Sequence, residues 1–137
     1  MYHNWYDIGM RNPILDVYFY ETEQGAEPVR QWLKSMSAVD KKRIGEDIKT
    51  IQFGWPLGMP LVKHLDGDIW EVRIHLSKSI ARVLFVLDKG SMVLIHGFIK
   101  KQQKTPKSDL DLVKDRVKKL RKRSWRKNIL VATLMIS

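Results

Sequence analysis

The chain has 137 residues, a net charge of +10 and no cysteine. That length supports one hydrophobic core and is short for two, so a single domain over residues 1–137 is expected, with its core over about 14–123. The missing thiols exclude disulfides and thiolate metal sites and permit a reducing, cytoplasmic setting, while the charge points to an acidic partner such as nucleic acid.

The positive excess is local. Lys114 to Lys127 holds nine Lys or Arg against Asp115, and the remainder is only weakly basic. A solubilising helix face running into a ragged tail is the lesser alternative to an acidic partner for such a segment.

Residues 1–12 are aromatic and polar, with no clear period and no apolar run of the signal-peptide kind. Ile14 to Glu21 has the β-branched and aromatic content of a first strand, and Thr22 to Gly25 breaks it. Pro28 opens a helix at a position where its absent N–H costs nothing, with Val29, Trp32, Leu33 and Met36 on one face. Ser37 or Asp40 caps a second helix through Thr50, striped by Ile44, Ile48 and Ile51. Gly54, Pro56, Gly58 and Pro60 then form a loop.

Leu61 to Leu65 is a short strand carrying Lys63 and His64, and Asp66-Gly67-Asp68 turns it into a three-stranded meander. Its strands, Ile69 to Leu76, Ser79 to Asp88 and Ser91 to Ile99, are joined by the two-residue connections Ser77-Lys78 and Lys89-Gly90. Such hairpins fix register: Leu76 against Ser79, Ile74 against Ala81, Arg73 against Arg82, then Val83 against His96 and Arg82 against Gly97. One face, from Trp70, Val72, Ile74 and Leu76 to Ala81, Val83, Phe85, Leu87, Leu94 and Phe98, is almost continuously apolar, with His96 also directed to it. After the basic stretch Ile99 to Pro106, Ser108 with Asp111 gives a capping-box signal for a last helix, striped by Leu110, Val113, Val117 and Leu120. The run from Ile129 to Ile136 is too short to span a bilayer and reads as an added strand, a partner-binding tail or a loosely packed terminus.

The order β-α-α-β-β-β-β-α, with helical stripes from two places meeting one apolar sheet face, makes this an α+β chain. On the opposite face the register sets two guanidinium groups side by side, near Glu71 and Gly97. Like charges directly opposite are unfavourable, so either an external anion such as phosphate sits between them or Glu71 neutralises one. The four histidines show no metal-binding spacing, so no metal or other cofactor is expected.

Three fragments, Gly67-Asp-Ile-Trp-Glu-Val-Arg73, Ala81-Arg82-Val-Leu-Phe85 and His96-Gly-Phe-Ile-Lys-Lys-Gln-Gln-Lys-Thr-Pro106, together resemble the HigB-like branch of the RelE/ParE toxin superfamily. The likeness runs over roughly Leu15 to Arg123. It implies a RelE-like fold, with two N-terminal helices and a C-terminal helix on a mostly antiparallel four- to five-stranded sheet. It also implies the toxin of a type II toxin–antitoxin pair, partnered by a helix-turn-helix, HigA-like antitoxin. HigB and RelE members cut messenger RNA on the ribosome without a metal. The implied partners are therefore ribosome and mRNA, no membrane, and DNA only through the antitoxin complex. Arg82 matches a phosphate-binding arginine of these ribonucleases, Lys100, Lys101 and Lys104 fall in their basic exit segment, and Arg73 fits more loosely.

Metal-free cleavage also needs a proton acceptor. Some relatives use a tyrosine near the last helix, and none lies between Lys104 and Leu112 here. Glu71, on the arginine face, is the first candidate base and His75 the second. Lys63, His64 and Lys101 are candidate RNA contacts. Phe98 joins them as a base-stacking group only if the strand end turns it out of the core face. A different class of reading is a ParE-like inhibitor of DNA gyrase, with the basic last helix as its contact surface. A third is a binding module that acts only through an antitoxin.

Overall fold

The computed structural model describes residues 12–136, with side chains to residue 123. The readings of residues 1–11 and of Ser137 fall outside that range. The element order is β1 (Asp16–Phe19), α1 (Pro28–Lys34), α2 (Ala38–Gly54), β2 (Val62–His64), β3 (Ile69–His75), β4 (Ile80–Asp88), β5 (Ser91–Ile99) and α3 (Lys107–Ile136). The five strands form one sheet in the order β1-β5-β4-β3-β2, antiparallel except where β1 runs parallel to β5.

Local chemistry explains most boundaries. Pro28 occupies the start of α1, and the Ser37 side chain accepts the Asp40 N–H at the start of α2, satisfying one of the free donors of a first turn. Lys89 and Gly90 have φ of 51° and 79°, the left-handed pair that a tight hairpin between right-twisted strands requires. The expected cap at Ser108 is not formed. Leu110 N–H bonds the carbonyl of Pro106, so the helix already begins at Lys107 and Ser108 lies inside it. The backbone is helical to Ile136, so the apolar run after Asn128 adds no strand. Among the described residues, no helix is long and apolar enough to cross a membrane.

The first hairpin keeps its expected register, with Arg73 opposite Arg82 and Ile74 opposite Ala81. The second keeps it only from the turn to Phe85 opposite Leu94. There β5 carries one extra residue, Ile95, and beyond it Leu84 faces His96, Val83 faces Gly97 and Arg82 faces Phe98. A bulge moves every later side chain to the other face. Arg116 of α3 stabilises this one, donating to the Ile95 carbonyl at 2.9 Å. Phe98 and His96, expected on the apolar face with Trp70, therefore lie on the arginine side. Gly97, expected beside Arg82, lies under α1.

The sheet is covered on both faces, not on one. Under α1 and α2, Val29, Ile44 and Ile51 pack on Val72, Ile74, Val83, Phe85 and Leu94. Under α3, Val113 and Val117 pack on Ile69, Leu84, Val86, Val93 and Ile95, joined by Tyr20 and, half-buried, Phe98 and Leu110. Alternation along β4 feeds both cores, and Ala81 to Val86 are all buried.

Gly97 owes its identity to this packing, because a Cβ there would collide with the Trp32 ring. Gly97→Ala should lower unfolding free energy by about 1–3 kcal/mol, the usual cost of overpacking. Denaturant unfolding followed by tryptophan fluorescence would measure it, and an unchanged midpoint would contradict the close approach.

Candidate active site

On the α3 side, one end of the sheet is left uncovered by the helix and roofed by the segment between β5 and α3. Here β3 presents Glu71 and Arg73, β4 presents Arg82, and β2 sets Lys63 directly across from Glu71. Glu71 is completely buried and Arg82 is 1% exposed, the two charged residues inside the described core. Their arrangement is one shared carboxylate. Glu71 Oε1 lies 3.2 Å from Arg73 Nε and 3.6 Å from Arg82 Nε, while Oε2 accepts a 2.6 Å bond from the Thr105 hydroxyl. Arg82 also donates from Nη2 to the Gln103 carbonyl at 2.7 Å and points Nη1 at Thr105 Oγ1, 3.5 Å away.

The anion between the two arginines is thus Glu71 itself. Removing one member of a buried pair strands the other in a low-dielectric setting, which costs far more than the pair contributes. Arg82, matched by resemblance to a phosphate-binding arginine, is roofed by residues 103–105 and has no open path to a ligand. Glu71, the first candidate base, has its oxygens engaged by two guanidinium groups and a hydroxyl and lies away from solvent, so its place here is to hold its neighbours.

Above this network opens a cleft of about 230 Å³, lined by Lys63, His64, Asp66, Arg73, Lys104 and Thr105 among others. Arg73 is about a quarter exposed at its side chain, and Lys63 and Lys104 are exposed. The cleft is a positive concavity whose cations come from three separate stretches of chain. His64 stands opposite Trp70, its ring 4.6 Å from the indole, and its Nε2 bonds the Gly67 carbonyl. A backbone carbonyl only accepts, so Nε2 carries a proton, and in the tautomer with that single proton Nδ1 is the acceptor. The Asp66–Gly67–Asp68 turn is tied to α3 by Lys114–Asp66 at 2.6 Å and by Arg121–Asp68. The hydrogen bond and charge of Lys114 hold the Asp66 carboxyl below its ordinary range.

The other predicted residues lie apart from the cleft. Lys100 bonds Gln103 Oε1 at 3.1 Å and, with Lys101, borders a separate hollow lined also by Ile80 and Gln102. Phe98 and Lys101 line a third depression with Trp32 and Asp109. Phe98 stacks on His96, whose Nε2 lies 2.7 Å from the Asp109 carboxylate. His75 is exposed at the far end of β3. Thr105 and Gln103 were not singled out by the sequence. The available signal was that a buried arginine opposite another arginine needs acceptors, and the polar segment after β5 was the nearest supply. Among the described residues, no group of three His, Asp or Glu side chains is placed to hold a metal ion.

A family model described as "Phage derived protein Gp49-like" matches residues 31–118, the span from α1 to the middle of α3. Over 57 residues, 42% of this chain, the sequence is 40% identical to the "Probable endoribonuclease HigB1" of Mycobacterium tuberculosis (strain CDC 1551 / Oshkosh). The same identity and coverage hold for the protein of that name in strain ATCC 25618 / H37Rv. The chain spans 46% of the length of these curated relatives, about half.

Because Arg82 anchors both Glu71 and the loop, Arg82→Ala should destabilise the fold by about 3–5 kcal/mol. Urea unfolding would read the loss, and a change below about 1 kcal/mol would show that the pair is not held as described.

Proposed function

The chain belongs to the phage-derived Gp49-like family, a family of the RelE/HigB toxin type, and on that premise we propose that it is a ribosome-dependent mRNA endoribonuclease, the toxin of a type II toxin–antitoxin pair. Under this reading the α+β architecture is a RelE-like fold, the chain is a single toxin domain, and its partners are a helix-turn-helix antitoxin, the ribosome and mRNA. The observation that carries the proposal is the meeting of Lys63, Arg73 and Lys104 around one cleft. Three cations over a buried carboxylate suit an RNA phosphate. A gyrase inhibitor has no evident use for that concavity. Moreover, much of the described charge of α3, which would serve such an inhibitor, is already matched: Lys107, Lys114, Lys119 and Arg121 each pair with an aspartate.

The reaction that fits is attack of a ribose 2′-hydroxyl on its own phosphate. A proton leaves the hydroxyl, negative charge builds on the phosphorane, and the departing 5′-oxygen takes up a proton from water as a 2′,3′-cyclic phosphate is left behind. Arg73, its Nε held by Glu71, offers its terminal nitrogens to the phosphorane, and Lys104 does so from the loop. Lys63 holds the adjoining backbone. His64 at the rim, with Nδ1 left as its acceptor, takes the proton. Such a site needs no metal, and its positive charge opposes one.

Arg73→Ala should lower transcript cleavage on programmed ribosomes by on the order of 10²–10³, and His64→Gln by about 10²–10⁴, with both proteins still folded by circular dichroism. Primer extension on the recovered message measures both. Cleavage at the wild-type rate by folded Arg73→Ala would sink the phosphate role. Loss of plasmid supercoiling by gyrase on adding the wild-type protein would favour the other class of target.

A further inference from the structure

Lys104 is exposed and sits on a loop, yet phosphate recognition requires it at a fixed distance from Arg73. Around Lys104 two sheet residues hold the loop: Arg82, which donates to the Gln103 carbonyl and points Nη1 at Thr105 Oγ1, and Glu71, which accepts the Thr105 hydroxyl at 2.6 Å. Only the second connects the two walls of the cleft through a single group. The carboxylate that receives the Thr105 hydroxyl on one oxygen receives Arg73 Nε on the other. Since Glu71 is completely buried, this bridge has no competition from water, and the short bond to an ionised acceptor is of the stronger kind.

We infer that Thr105 is a positioning residue, which sets Lys104 opposite Arg73 across the cleft by fastening the loop to Glu71. It touches no reacting atom. Its hydroxyl has one proton, committed to Glu71, and accepts from Arg82. Lys104 is bonded to it in sequence, so the register of the loop at Thr105 decides where the ammonium group stands. Serine can make the same bond, and valine, of nearly the same shape, cannot. The inference rests on the cleft being a phosphate seat, and it deepens the ribonuclease reading without depending on turnover.

The test is a double-mutant cycle on the full chain, using Thr105→Val, Thr105→Ser, Lys104→Ala and the Val/Ala double variant. Inorganic phosphate is titrated at low ionic strength and followed by amide NMR, and cleavage is measured on programmed ribosomes. Thr105→Val should weaken phosphate about fivefold and lower kcat by about 10- to 100-fold with little change in KM, whereas Thr105→Ser restores both. In the Lys104→Ala background the valine should cost little more, because its effect runs through Lys104. A valine penalty of equal size in both backgrounds would mark Thr105 as merely structural and overturn the inference. Failure of the wild-type protein to bind phosphate, or wild-type affinity in Thr105→Val, would overturn it as well. If the phosphate cycle holds and the wild-type protein cuts no RNA, the positioning role stands and the ribonuclease reading falls.

Discussion

Glu71 is the group around which this end of the molecule is built. A carboxylate without solvent is expensive, and this one is made tolerable by two guanidinium groups and a hydroxyl. The same contacts settle several matters at once. They let Arg73 and Arg82 stand directly opposite on adjacent strands, they bring the loop after β5 down onto the sheet, and they leave Arg73 half in the cleft with its orientation fixed. Positive charge at the cleft is therefore preorganised by a negative charge that no ligand meets.

Charge placement also revises what composition suggests. The lysines and arginines are densest in α3, yet much of what is described there is matched by aspartates on the helix itself or on the turn before β3. Arg116 is drawn inward to the Ile95 carbonyl. Exposed pairs of this sort contribute little to stability, but they lower the net field. Lys63, Lys101 and Lys104, fewer in number, stand in exposed positions around the sheet end.

Much of this was legible in the sequence because strand periodicity and hairpin length are local properties. The apolar alternation of Trp70, Val72 and Ile74 and the two-residue turn at Ser77-Lys78 were enough to set Arg73 against Arg82. The second hairpin failed at Ile95, because nothing local distinguishes a bulged apolar residue from a paired one. What holds it is Arg116, far along the chain. The same long-range cause hid the second core: Leu84, Val86 and Ile95 lie on the face opposite the continuous apolar one, and only the docking of α3 shows what buries them. The burial of Arg82 was hidden too, since it follows from the loop carbonyl at Gln103.

The pairing of β1 with β5 joins the first described strand to the last one, across most of the chain. Contacts so distant in sequence are slow to form and come late, and during synthesis they must wait for the distal partner to emerge. The loop bearing Lys104 lies beyond β5 and is secured only by residues already on the sheet. A nascent chain therefore acquires its hairpins before its complete cleft, which waits until the segment after β5 has left the ribosome that made it.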